Sequence, residues 1–206
     1  YLWIGTKEGL AILNLETEEL INLTYILEKY SPTDKYIGEI YKDLDGEYWI
    51  GMFVQGGLIR LNPKEEKVTL YKNIENNKNS LSNDSIRSIV EGESGEIWIG
   101  TSFGLNRLDK KNDRFERYTT KNGMANNTVY GVLIDQYGNP WCSTNIGISK
   151  INISTGLISN LDVTDGLQSN EFNGNAFFKN RNGELLFGGI NGFNIIDTEK
   201  IKASEN

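Results

Sequence analysis

Tryptophan occurs four times in this 206-residue chain, each time at the same position of a repeat. Trp-Ile-Gly stands at Trp3–Gly5, Trp49–Gly51 and Trp98–Gly100, and Trp141-Cys142-Ser143 and Leu186-Phe187-Gly188 are degenerate copies. The first residues of these triplets are 46, 49, 43 and 45 residues apart. A spacing of about 40–50 residues is that of one supersecondary unit repeated, each copy too small to bury its apolar face alone.

Other residues keep step with the triplet. Three positions before it stands a turn glycine, Gly46, Gly95, Gly138 or Gly183, preceded in three cases by Asp45, Ser94 or Asn182. Such pairs are tight-turn signals. Six positions after it stands Gly9, Gly104, Gly147 or Gly192, and twenty after it Leu23, Tyr118 or Leu161. In the second unit these offsets become 8, to Gly57, and 22, to Tyr71. One two-residue insertion near Phe53-Val54-Gln55-Gly56 accounts for both and places it in a loop.

Each unit reads as four short strands. The third shows them as Ile86–Glu91, Glu96–Thr101, Gly104–Asp109 and Arg114–Tyr118, with apolar residues alternating and turns between. Glu16–Lys29 is the nearest approach to an amphipathic helix, but it overlaps the fourth strand of the first unit. The predicted fold is all-β: a β-propeller fragment of four-stranded antiparallel blades, three complete and two partial. The chain reads as one domain, with units at about 1–30 (partial), 36–72, 85–119, 128–162 and 171–198 (partial). The open ends are expected to be covered by missing blades or by self-association through the blade edges.

Composition narrows the function. The net charge is −7 with no basic stripe, which argues against nucleic acid and against contact with an anionic membrane surface. No apolar run approaches the length of a membrane span. With no histidine and one cysteine, Cys142, there is no Ser-His-Asp or Cys-His set, no disulfide, and no expected metal or cofactor. Asp43-Leu44-Asp45-Gly46 hints at a calcium loop, but its glycine is at position 4 and position 12 is Val54, so a β-turn is the reading.

The segment Leu81–Ile89, then Gly95–Thr101, then Gly104–Leu108 spells Leu-Ser-Asn-Asp-x-Ile-x-x-Ile, Gly-x-x-Trp-Ile-Gly-Thr and Gly-Leu-x-x-Leu. This resembles the two-component regulator propeller repeat. WD40 blades would carry Gly-His, and kelch blades a Gly-Gly pair before the aromatics. The fourth unit departs from the pattern at Pro140, Cys142 and Ser143. The resemblance implies an extracytoplasmic sensor region of a membrane-anchored bacterial hybrid histidine kinase or diguanylate cyclase. In that family an immunoglobulin-like domain, a membrane span and an output domain follow the propeller.

The repeated tryptophans are read as packing core rather than a sugar platform. Candidate binding residues lie on the linkers between units, Ser31–Tyr36, Asn79–Ser85, Gly123–Thr128 and Gly166–Glu171, which a propeller gathers on one face. They are Asp34, Asn83, Asp84, Asn126, Asn127, Asn170 and Glu171, with Arg87, Tyr130 and Asn173 just inside the next strands. Amides and carboxylates beside aromatic groups suit a small polar ligand such as a glycan. The competing reading is that Asn and Asp satisfy turn geometry. A protein-binding or dimerisation scaffold is the alternative function, with a propeller lyase or glycosidase a distant third.

Overall fold

The computed structural model describes residues 1–30 and 35–204. The chain forms five antiparallel sheets in sequence order. The first holds β1 (Leu2–Gly5), β2 (Leu10–Leu13) and β3 (Leu20–Asn22). After helix α1 (Thr24–Tyr30) come β4 (Ile37–Lys42), β5 (Tyr48–Met52), β6 (Leu58–Asn62) and β7 (Lys67–Tyr71). The third sheet holds β8 (Ile86–Glu91), β9 (Ile97–Thr101), β10 (Gly104–Asp109) and β11 (Arg114–Tyr118). The fourth holds β12 (Val129–Ile134), β13 (Pro140–Thr144), β14 (Ile148–Ile151) and β15 (Ile158–Leu161). The fifth holds β16 (Phe172–Lys179), β17 (Leu185–Gly189) and β18 (Gly192–Ile196), followed by helix α2 (Thr198–Ser204). Among the described residues no strand of the first sheet pairs with one of the fifth, so three four-stranded and two three-stranded blades form an open series.

The apolar core lies between blades, and the triplet explains why. Side chains alternate across a strand. Trp49 joins Ile86, Ile89, Ile97 and Leu108 of the next blade, and Trp98 joins Val129, Val132 and Ile151. The following residue faces the other way: Ile50 packs in the cluster shared with the first blade, and Ile99 in the cluster shared with the second. The third residue must leave room for the next inner strand. A Cβ on Gly51 would sit 2.5 Å from Ile86 Cγ2, and one on Gly5 2.6 Å from Ile37 Cγ2. Three successive residues thus serve the forward core, the backward core and the close approach of blades. Burying each indole contributes on the order of 4 kcal/mol of gross transfer free energy.

A polar contact fixes each buried indole. Trp49 Nε1 donates to Asp43 Oδ2 at 2.9 Å, and Trp141 Nε1 to Asp135 Oδ2 at 3.0 Å. In the third blade Gly92 stands where those aspartates are. There Glu96 takes over, accepting from Trp98 Nε1 at 3.2 Å, and its carboxylate fills the space a Cβ on Gly92 would need.

The two helices correct the all-strand expectation. Asn22 Oδ1 accepts from the Thr24 N–H at 2.8 Å where α1 begins; Ile26 and Leu27 are buried, and Leu27 packs in the cluster between the first two blades. The fourth strand of the first unit is only three residues long, because the chain leaves it early to cover that core. At the other end Asp197 Oδ1 accepts from the Glu199 and Lys200 N–H groups, and Ile201 of α2 packs on the cluster between the last two blades.

Candidate functional site

The linkers between blades repeat one hydrogen-bonding scheme. Asn83 Oδ1 accepts from the Ser85 N–H at 2.9 Å, and Asn126 Oδ1 from the Thr128 N–H at 2.8 Å. The next residue clamps two neighbours. Asp84, Asn127 and Asn170 accept on their side chains from the N–H groups of Asn73, Thr120 and Val163, at 2.5, 2.9 and 3.1 Å. Their main-chain carbonyls accept from Gly57, Gly104 and Gly147 at 2.8, 2.6 and 2.7 Å. The glycine six positions after the triplet (eight in the second unit) is therefore the donor that ties a hairpin to the following linker. At Gly147 φ is +78°, and a Cβ would collide with the Leu161 carbonyl, so only glycine fits without strain. Five of the candidate binding residues thus direct an acceptor oxygen at the chain's own N–H groups.

The rest are placed differently. Asp34 lies outside the described residues. Glu171 and Asn173 are exposed at the start of the fifth blade. Arg87 and Tyr130 share a structural position that the repeat alone does not reveal. The inner strands β4, β8 and β12 each carry a β-bulge, between Ile37 and Glu39, Ile86 and Ser88, and Val129 and Gly131. The extra residues are Gly38, Arg87 and Tyr130. A bulge re-aims a side chain out of the ladder and is a recurrent device beside functional sites. In β16 the irregularity widens to the stretch between Phe172 and Phe177. The preceding blade has Ser143 at the glycine position of its triplet, and the hydroxyl is buried with no hydrogen-bond partner.

Around Arg87 the bulge meets residues that the sequence reading did not single out. The Arg87 guanidinium carbon is 4.1 Å from the centre of the Phe53 ring, and its Nε donates to Ser102 Oγ at 3.0 Å. Phe53 packs on Tyr36, with ring centres 4.7 Å apart, and Lys7 Nζ lies 5.5 Å from the Tyr36 ring. Tyr130 OH donates to Asn145 Oδ1 at 2.9 Å. Lys7, Phe53, Ser102 and Asn145 all stand four positions after the first residue of the triplet. That shared offset, and the insertion beginning at Phe53, were the available signals. The Phe53 N–H donates to the Tyr36 carbonyl at 2.7 Å and the Ser102 N–H to the Ser85 carbonyl at 3.1 Å, which puts these hairpins on the linker face.

Where Arg87 and Tyr130 project side chains, Gly38 projects none. It lines a cleft of about 200 Å³ with Gly5, Ile37, Glu39 and Ile40. Burial pushes the Glu39 carboxyl up to about 7.

The opposite face is closed by charge. Asp43, Asp45 and Glu91 come close enough together to hold a metal ion, but the Lys110 ammonium sits among them at 3.0, 2.7 and 2.9 Å. Burial alone would raise the Asp43 carboxyl. Hydrogen bonds from Trp49, Lys110 and the Glu47 N–H hold it below the usual range instead. Cys142 is fully buried, which pushes its thiol well up and leaves it an inert apolar group.

Antiparallel sheets that follow one another in sequence order and pack face to face through their second strands and the next sheet's inner strand are the blades of a β-propeller, and the described residues form five such sheets, four of them with the tryptophan. The family pattern described as the two component regulator propeller matches residues 80–103, spanning the second linker, β8 and β9. No curated protein matches the chain. Among solved structures it is similar to the extracellular domain of BT3049 of B. thetaiotaomicron, described as a hybrid two component system. Identity is 25% and the TM-score 0.83, over 99% of this chain and 27% of that one. The extracellular domain of BT4673 from the same organism matches at 17% identity and a TM-score of 0.74, over 94% of this chain and 26% of that one. Virginiamycin B lyase of Staphylococcus aureus matches at 17% identity and a TM-score of 0.70, over 96% and 63% of the two chains, which is a likeness of fold. The chain thus spans about a quarter of the extracellular domains it matches. No helix among the described residues is long and apolar enough to cross a membrane.

Proposed function

We propose that this chain is part of the sensory input region of an extracytoplasmic, membrane-anchored bacterial signalling protein, and that its linker face binds a small polar ligand of the saccharide class. The observation that carries this reading is the row of side chains that the bulges and hairpins set out on one face of a rigid scaffold. The repeat, and the likeness to extracellular domains of two-component and one-component systems, support it. The chain itself is read as non-catalytic, with chemistry left to an output domain elsewhere in the parent. A ligand would act by differing in affinity for two signalling states of that parent.

A thermal-shift panel of oligosaccharides on the purified chain tests this. A rise in melting temperature with at least one saccharide, lost on changing Arg87 or Phe53, is expected. No shift at millimolar concentration with any member would overturn the reading.

A second reading has its own observation. Phe178, Phe193 and Ile195 on the fifth blade are more than half exposed, on an open sheet face of the kind that other blades bury. Self-association through such faces predicts a dimer or larger species by light scattering.

A further inference from the structure

We infer that the corner between the second and third blades, built on Phe53, Tyr36, Arg87 and Lys7, takes the carboxylate of an acidic saccharide. This rests on the proposal that the linker face is the ligand face, and it names the ligand class.

Arg87 carries the argument. Its planar group lies on Phe53 and its Nε is held by Ser102, so the orientation of the fork is already fixed. No carboxylate among the described residues pairs with it. The other partly buried cations differ. Arg60 pairs with Glu47 at 2.7 Å, Lys110 with three carboxylates, and Arg117 donates to the carbonyls of Asn77, Ser80 and Leu81. A guanidinium fixed in plane, with its terminal N–H groups unmatched by an acid, suits a bidentate carboxylate.

The surroundings supply the rest. The insertion of the second unit begins at Phe53, and Gly38 gives that ring its space: a Cβ there would lie 3.0 Å from Phe53 Cδ2. The cleft lined by Gly38 and Glu39 therefore adjoins the aromatic pair. Lys7 adds a second cation on the Tyr36 side. The linker amides that a neutral sugar would use direct their oxygens at backbone N–H groups. Near neutral pH the Glu39 carboxyl is only partly ionised, which reduces its repulsion of an incoming anion.

Isothermal titration of the whole chain with α-1,4-linked digalacturonate and with the neutral disaccharide of the same linkage, galactobiose, tests the assignment. Digalacturonate should bind at least about 10-fold more tightly, the difference one charge-assisted contact supplies. Arg87→Gln should remove that preference, and Arg107→Gln, on the opposite face, should leave it intact. Equal or tighter binding of galactobiose, lost in Phe53→Leu but not in Arg87→Gln, would overturn the acidic class while sparing the linker face. Failure of both disaccharides at millimolar concentration would overturn the inference, and the wider panel would then judge the face itself. Unchanged melting of the Arg87→Gln chain separates loss of binding from loss of fold.

Discussion

The three central blades and the two terminal ones carry the same repeat in different states of completion. Trp49, Trp98 and Trp141 are at most 1% exposed. Each has a cation over its ring from the third strand, Arg60, Arg107 or Lys150, at 5.3, 5.7 and 5.3 Å. Trp3 is only partly buried and stacks instead on Tyr48 of the next blade at 4.0 Å. Ile12 stands where the cation would be, and in the fifth blade Leu186 and Ile195 replace indole and cation together. The repeat is therefore a rule about interfaces. Its tryptophan belongs to a core shared with the following blade, and its positions are filled differently in the first and fifth sheets, which have three strands each.

The largest effects should fall on that contrast. Trp98→Ala should cost about 4 kcal/mol in urea unfolding, and Trp3→Ala no more than about 2. Similar costs would mean that the two sites are equally packed. A second difference separates successive interfaces. Between the second and third blades Lys110 holds buried carboxylates, whereas Ile134 and Ile153 occupy the positions equivalent to Glu91 and Lys110 one blade on. Lys110→Met should destabilise by on the order of 3 kcal/mol, because the carboxylates are left without their cation. A near-neutral result in the same unfolding assay would show that water or ions reach the cluster.

Glu39 contributes a pH dependence of its own. Its value is 4.5 when unfolded and about 7 in the fold, so the cost of charging it is absent below 4.5, grows between the two values and is complete above 7. Glu39→Gln should therefore stabilise by about 2 kcal/mol at pH 8, allowing for partial exposure, and by almost nothing at pH 4. A pH-independent gain would show that the carboxyl is solvated. The smallest effect concerns the central cations. Arg107→Gln should cost about 0.5–1 kcal/mol, the worth of a cation–π contact made by a partly exposed cation. Ile12→Arg in the first blade should recover less, because its ring is already covered by Tyr48.

Much of the architecture was legible because the repeat encodes it. Three strands of the third blade have the bounds that alternation gives, and the second begins one residue later, at Ile97. The insertion at Phe53 was visible as a shared shift of two offsets. The bulges were not, because an extra residue in one strand leaves the spacing of the triplets unchanged. The duties of Asp84, Asn127 and Asn170 were only half legible. Turn chemistry suggests that such residues cap their own linker, but the bond from the preceding blade's glycine is a tertiary contact. The exchange of Asp43 and Asp135 for Glu96 in the third blade was hidden for the same reason, since it depends on the space left by Gly92. Helix α1 follows from covering the core between the first two blades, a tertiary demand that no local pattern announces.

Hydrogen exchange tests the functional account most directly. It would be measured on the chain with and without the saccharide that most raises its melting temperature. Slowed exchange at residues 36–39, 53–57 and 84–88, with none at the opposite turns 92–96 and 135–139, is the predicted result. Protection confined to those opposite turns, or spread evenly over both faces, would contradict a binding site on the linker face.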